Sequence, residues 1–140
     1  MTKAGSSKSV DSQHGANRLI IARAYHQTAK DQVDLAGRGT LGNPIASTIV
    51  HSAIAYCDAL TATFGNRVNQ KDHLAAAKTL RAVLGNRFPK AQETRLNRIL
   101  SNKDLAQYGG RFMTFDDAEA LFDQLEEFAK WVETEMAGAP

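Results

Sequence analysis

The segment from Asn43 to Phe64 constrains the fold most, because it is apolar around most of a helical circumference. Its apolar residues recur at steps of three and four, and others widen the stripe: Ile45, Ile49, Val50, Ala53, Ile54, Tyr56, Cys57, Leu60 and Phe64. Asn43 and Pro44 suit the N-cap and the first helical position. Such a helix must be surrounded by other elements, so we predict that it is central.

Four further segments carry the helical period and end at Gly, Pro or capping residues. They run from about Asn17 to Gly37, from Gln70 to Leu84, from Pro89 to Gly109 at the latest, and from a capping-box-like Thr114 onward. No segment alternates with period two over the length of a strand. The sequence therefore predicts an all-α fold, an up-and-down bundle of about five helices.

The length of 140 residues is that of one domain with a single core. Residues 1–14 are rich in Ser, Lys and Gly and predict a flexible N-terminal tail, with the bundle in residues 15–137. The tail lacks the apolar centre of a signal peptide, and we expect no membrane span. The expected location is the cytoplasm. Cys57 lies in an apolar run and is expected to be a buried, unreactive thiol.

Charge is separated along the chain. Residues 66–103 hold nine Lys or Arg against two acids, and residues 112–136 hold eight acids against one Lys, so a net charge of +2 hides blocks of about +7 and −7. A basic block can bind phosphate. The predicted nucleic-acid-binding residues are Lys71, Lys78, Arg81, Arg95 and Arg98.

Two features leave alternatives open. The basic block could instead pair with the acidic last helix, within the bundle or across a dimer, and Phe88 and Tyr108 are the aromatic residues near it in sequence. The second helix carries a ridge of small residues that would let another helix approach closely, from the same chain or from a partner: Ser52, Ala55, Ala59 and Ala62.

From Asn43 to Met136, about two-thirds of the chain, the sequence resembles the HEPN superfamily of small helical bundles. The resemblance is carried by four short motifs in order: Ser52–Ala59, Lys71–Leu74, Ala106–Gly109 and Asp117–Glu119. HEPN proteins occur in toxin-antitoxin systems, beside minimal nucleotidyltransferases and among RNA-cleaving defence proteins. The resemblance implies a homodimer and a partner that is RNA, a nucleotide or a nucleotidyltransferase.

Ribonuclease members of this superfamily carry an Arg followed four to six residues later by a His, and Arg67 and His73 have this spacing. An imidazole can move the proton of a ribose 2′-hydroxyl, and a guanidinium can hold the phosphate. Chance alone predicts about 0.8 such pairs in this composition. Val68 replaces the polar residue that often follows the Arg of the family, and Arg67 lies in a predicted connection.

The remaining motifs indicate neither a metal nor a cofactor. His26 and His51 are expected to be packed or rim residues. No two His share helical spacing, and no Glu or Asp lies three or four residues from His26 or His73 to complete a metal site. The glycines of 37–42 follow a helix, without the strand and Lys of phosphate-binding loops, and predict a flexible loop.

Three functions remain open. The first and favoured one is a non-catalytic HEPN-like interaction module that binds RNA or nucleotide or partners a nucleotidyltransferase. The second is a metal-independent, toxin-like ribonuclease that uses Arg67 and His73. The third is a structural helical bundle with protein partners only.

Overall fold

The computed structural model describes residues 7–70 and 72–140, without the side chain of Ser12. Its α-helices are α1 (Ser12–Leu35), α2 (Asn43–Gly65), α3 (Ala76–Leu84), α4 (Lys90–Leu100), α5 (Lys103–Gln107) and α6 (Phe115–Ala137). Short strands β1 (Ser7–Ser9) and β2 (Arg67–Asn69) pair with each other, and 3₁₀ turns lie at His73–Ala75 and Gly85–Arg87. The all-α bundle is confirmed, with five helices of nine or more residues and the short α5.

Helix α2 is central, as its apolar circumference predicts. Fifteen of its 23 residues are buried, and it packs against α1, α3, α5 and α6. Tyr56 and Leu60 of α2 meet Phe128 and Leu125 of α6 in one continuous core. Cys57 is fully buried in this core, as expected, and burial raises the pKa of its thiol.

The helices do not simply alternate in direction. Cys57 contacts the start of α3 at Ala76, while Gly65 at the end of α2 approaches Val83 near the end of α3, so α2 and α3 run parallel. β2 and the 3₁₀ turn carry the chain back along α2 before α3 begins. α1 runs antiparallel to α2, because Arg18 pairs with Asp58 while Tyr25 stacks on His51.

The ridge of small residues on α2 is covered by α1. Ser52 Oγ donates to the carbonyl oxygen of Ala22 at 2.9 Å, and a Cβ on Gly15 would collide with Thr63 and crowd Ala59. Because all four ridge residues are fully buried, the close approach is made within the chain, and the ridge is not a surface for a partner.

Two local predictions are corrected, and the end of the fourth helical segment is defined. Residues 7–14, expected in a flexible tail, form β1 and the first turn of α1, with Asp11 as N-cap; residues 1–6 lie outside the described residues. β1 and β2 were not predicted, because three residues are too few to show a period of two. The fourth helical segment ends at Leu100, and α5 follows as a separate short helix.

Asn43 does not cap α2, although the sequence predicts it. The N-cap is Gly42, and Asn43 already has a helical position. Its side chain instead binds α5 and the loop before α6. Oδ1 accepts from Met113 N–H at 2.7 Å, and Nδ2 donates to the carbonyl oxygens of Leu105 in α5 and Arg111 in the loop. Asn43 thereby ties the start of α2 to the start of α6.

Length and composition alone would allow α2 to cross a membrane, although the sequence predicts no membrane span. However, 83% of its most apolar window is buried inside the bundle, which is the pattern of a core helix.

Candidate functional site

Arg67 and His73 lie on different elements. Arg67 is on β2 opposite Ser9, and His73 opens the 3₁₀ turn before α3. No hydrogen bond or ion pair joins them in the described parts of the chain. The predicted catalytic pair is therefore close in sequence but not in direct contact.

The turn that carries His73 is held by polar side chains. Asp72 caps it by accepting from Leu74 N–H at 3.0 Å, and Asn69 donates to the carbonyl oxygen of Asp72 at 2.8 Å. The buried hydroxyl of Thr79 donates to Asn69 Oδ1 at 3.1 Å. Because these bonds tie β2 to α3, the backbone position of His73 is well defined.

The environment of His73 favours a neutral imidazole. Partial burial lowers its pKa, and the positive charges of Lys103 and His51 lower it further, while Asp72 opposes them. Ala76, three residues after His73, contacts Cys57, so this turn lies beside the middle of α2. A neutral imidazole at physiological pH can accept a proton or a hydrogen bond.

Aromatic and polar side chains of α1, α2 and α5 extend this region over one surface. Tyr25 stacks on His51 with ring centroids 5.4 Å apart, and Gln107 bonds His51 at 3.2 Å. Lys103 lies over the ring of Tyr108 at 5.3 Å. We name this surface the histidine face: Tyr25, His51, His73, Lys103, Gln107 and Tyr108.

Of the five predicted nucleic-acid-binding residues, the four that the structure describes do not form one patch. Arg81 contacts Glu93 across α3 and α4 at 3.4 Å. Glu93 and Arg95 are two positions apart and point about 160° apart on the helix, so Arg95 faces away from α3. Arg98 lines a cleft against α6, and Lys78 is exposed on α3. Lys71 lies outside the described residues.

The basic block and the acidic helix α6 are largely separate. Within residues 7–70 and 72–140, a single ion pair joins them, between Arg87 and Glu135 at 3.2 Å. The other ion pair of α6 to another element joins Glu133 to Arg23 of α1. Internal neutralisation of the two blocks is therefore slight.

A cleft of about 600 Å³ between α1 and α6 contains a hydrogen-bonded chain of three side chains. His26 Nδ1 lies 2.9 Å from Tyr56 Oη, and His26 Nε2 lies 2.9 Å from Glu126 Oε2. Since a carboxylate only accepts, Nε2 of the neutral ring donates to Glu126 and Nδ1 accepts from the Tyr56 hydroxyl. Burial raises the pKa of Tyr56 well above its ordinary value.

An adjacent ion pair joins the same helices. Arg23 donates from Nε and Nη2 to the two carboxylate oxygens of Glu133 at 2.7 and 2.6 Å, which lowers the pKa of Glu133. All these groups have partners, so the cleft is best explained as a polar link between α1 and α6. His26 is thus a packed residue, as expected, and His51 is an exposed one.

Sequence reasoning missed the association of His51, Lys103 and Tyr25 with His73. These residues are far apart in the chain, and no local spacing connects them. The i, i+5 pair Lys103 and Tyr108 was the available signal, since both lie near the end of the basic block. Among the described residues, no group of three His, Cys, Asp or Glu side chains is arranged to hold a metal ion.

The fold and these surfaces define an all-α helical bundle with a histidine-containing, cationic and aromatic surface. No family model matches the chain, and no curated protein matches it significantly.

Proposed function

We propose that this chain is a non-catalytic, HEPN-like helical module that binds single-stranded RNA through the histidine face. One observation carries the proposal: His51 of α2 contacts both Tyr25 of α1 and Gln107 of α5. On α5, Lys103 also lies over the ring of Tyr108. Tyr25 is 40% exposed and Tyr108 is 76% exposed, so both rings can reach a ligand.

Single-stranded RNA suits this chemistry. Its bases stack on aromatic rings, which contributes about 1–3 kcal/mol per base, and its phosphates attract cations. The sequence places few aromatic residues near the basic block, whereas the fold adds Tyr25 beside His51. Arg95, Arg98 and Lys78, which have no ion pair within the described residues, offer further phosphate contacts outside the face.

The partners follow from the HEPN resemblance. We propose a cytoplasmic homodimer that works with RNA, a nucleotide or a nucleotidyltransferase, as toxin-antitoxin components of this superfamily do. Because α1 buries the ridge of small residues on α2, such a dimer must use another surface.

Fluorescence anisotropy with a labelled single-stranded RNA, at low and moderate salt, tests the proposal. We expect salt-sensitive binding that Tyr108→Ala weakens about tenfold through lost stacking. Lys103→Gln should weaken binding and reduce its dependence on salt. Lys130→Gln is the matched control, because Lys130 is an exposed cation on α6 paired with Glu127. Equal RNA affinity in the wild-type protein and in all three variants would reject the histidine face as the binding surface.

A ribonuclease is the second candidate, and the lowered pKa of His73 favours it. A neutral imidazole could take the proton from a 2′-hydroxyl, with His51 as the second titratable ring on the same face. A denaturing gel of the same RNA samples tests this activity. If the RNA is cleaved, His73→Ala should abolish cleavage with unchanged helicity, and Arg67→Gln tests whether the Arg of the motif contributes.

The structural bundle is the third candidate. It predicts neither binding nor cleavage of RNA, and co-purification would then identify protein partners. Salt-sensitive binding to the histidine face would reject it.

A further inference from the structure

The strand β1 is held in place mainly by its backbone. Its three residues, Ser7, Lys8 and Ser9, are all exposed. None of their side chains forms a hydrogen bond or an ion pair with a residue that the structure describes. The pairing with β2 therefore depends on main-chain hydrogen bonds, and a two-stranded pairing this short is marginally stable by itself. Such a segment opens locally more readily than a core helix does.

The register identifies the bonds that hold β1. Just after β1, Val10 N–H donates to the carbonyl oxygen of Asn66 at 2.9 Å, and two residues earlier Lys8 lies opposite Val68. Hydrogen-bonded and non-hydrogen-bonded pairs alternate along an antiparallel ladder. Lys8 and Val68 are therefore a hydrogen-bonded pair. Ser9 occupies a non-hydrogen-bonded position, and its N–H points away from β2.

The strand β2 connects this pairing to the turn of His73. Asn69, the last residue of β2, is 8% exposed and accepts from the hydroxyl of Thr79 at 3.1 Å. Its Nδ2 donates to the carbonyl oxygen of Asp72 at 2.8 Å. The same carbonyl oxygen accepts from Ala75 N–H at 3.1 Å, which closes the 3₁₀ turn that begins at His73. One buried side chain of β2 thus links the ladder to the position of His73.

We infer that β1 is a releasable strap whose attachment holds the turn of His73, and with it the histidine face, in place. When β1 is attached, the ladder fixes the backbone of β2, and Asn69 holds the turn. When β1 detaches, β2 keeps its buried side chains but loses its ladder, and the turn opens more often. The strap and the turn are coupled whether or not the chain binds RNA, whereas the consequence for RNA binding rests on the proposed function.

Amide hydrogen exchange of the full chain, followed by NMR, tests the coupling. The N–H of Val68 reports on the ladder, that of Ala75 on the turn, and that of Leu60, in the fully buried middle of α2, on global unfolding. Lys8→Pro removes one ladder bond. We expect it to accelerate exchange at Val68 and Ala75 at least about fivefold and to leave Leu60 unchanged.

Three outcomes would overturn the inference. Unchanged exchange at Val68 would mean that β1 is not held by the ladder. Faster exchange at Val68 alone would mean that the turn is not coupled to β1. Equal acceleration at Leu60 would mean that the variant lowers global stability instead of releasing a strap.

Two matched variants control for the substitution itself. Ser9→Pro places proline at the non-hydrogen-bonded position of an edge strand, where it removes no ladder bond. Lys8→Ala removes the charge of Lys8 but keeps its N–H. We expect both variants to exchange within about twofold of the wild-type protein at Val68 and Ala75. An acceleration in either variant equal to that in Lys8→Pro would overturn the assignment to the ladder bond.

The same measurement with saturating single-stranded RNA tests the link to the histidine face. A ligand that orders the turn must also favour attachment of β1, because coupling between two sites is reciprocal. We expect RNA to slow exchange at Val68 and Ala75 by about fivefold. RNA that binds but leaves exchange at Val68 unchanged would overturn this link. If the protein binds no RNA, the proposed function fails, whereas exchange in Lys8→Pro still decides whether β1 is a strap.

Discussion

Asn43 joins α2 to a helix that begins 72 residues later in the sequence. Two hydrogen bonds of its amide reach the backbone of the loop before α6 and a third reaches Leu105 in α5; one of the two is accepted from the N–H of Met113, a residue that is 5% exposed. Removal of the amide would leave this N–H without its partner. A buried donor without a partner costs more than the average hydrogen bond contributes.

We therefore expect Asn43→Ala to lower the free energy of unfolding by about 1–3 kcal/mol, as measured by urea denaturation. Asn97→Ala is the matched control, because Asn97 is exposed on α4 and its change should stay within about 0.5 kcal/mol. Equal stability of the two variants would contradict the role of Asn43.

Asp58 lies on α2 and pairs with Arg18 at 3.1 Å, yet it is only 8% exposed. Burial raises its pKa to about 6, although Arg18 opposes the rise. Between about pH 4 and 6, the folded state therefore retains a proton that the unfolded chain releases. Stability from this group falls as pH rises through that range, and the loss is complete above it.

We expect the wild-type protein to lose roughly 3 kcal/mol of stability relative to Asp58→Asn between pH 4 and pH 7. Urea denaturation at several pH values in this range gives the free energy of unfolding of both proteins. The test is how the difference between these two free energies changes with pH. Asp123→Asn, an exposed change on α6, should retain the wild-type slope. A pH-independent difference between wild type and Asp58→Asn would refute the raised pKa.

At the scale of elements, α6 shows how local signals define a helix. Thr114 Oγ1 accepts from Asp117 N–H at 3.0 Å, and Asp117 Oδ2 accepts from Thr114 N–H at 3.4 Å, so the predicted capping box is confirmed. Met113, whose N–H binds Asn43, directly precedes this cap. The cap thus sets both the first turn of α6 and its junction with α2.

Thr114→Ala should lower the free energy of unfolding by about 1 kcal/mol, because the first turn loses its cap. Thermal or urea unfolding followed by circular dichroism measures the change. The control is Thr28→Ala on α1, where an exposed hydroxyl bonds the preceding turn at Ala24 and its loss should be nearly neutral. If Thr114→Ala loses no more stability than Thr28→Ala, Thr114 does not act as a stabilising cap.

At the scale of the whole molecule, the fold keeps the basic block and the acidic helix α6 largely apart, so attraction between them contributes little to their arrangement. Arg87 pairs with Glu135 of α6 and lies over the ring of Phe64 at 4.6 Å. Arg95 makes no ion pair within residues 7–70 and 72–140. Charge reversal at these positions should therefore have different effects.

We expect Arg87→Glu to cost about 1–2 kcal/mol, from the lost pair, the lost ring contact and new repulsion with Glu135. Arg95→Glu should stay within about 0.5 kcal/mol. Urea denaturation at low salt compares the two variants, and high salt should reduce the difference between their free energies of unfolding. A larger loss of stability from Arg95→Glu than from Arg87→Glu would mean that the basic block is neutralised at Arg95 and not at Arg87.

Prediction from sequence succeeded where the signal is local. The apolar period identified α2 as central, and the Thr114 cap placed the start of α6 within one residue. It was wrong at Asn43, because a capping residue has the same sequence signature as one that binds a distant loop. For the candidate site, it singled out His73, but it did not associate His73 with Tyr25 or His51.

The sequence by itself determined that the chain forms helices, where most of them begin and end, and which one lies at the centre. These properties depend on residues three or four positions apart, and they hold before any tertiary contact forms. Only the tertiary structure decided that β1 pairs with β2, that α1 covers the ridge of α2, and that the basic block is divided. The histidine face also belongs to this second group, because packing places Tyr25 and Gln107, which are 82 residues apart in sequence, against the same His51.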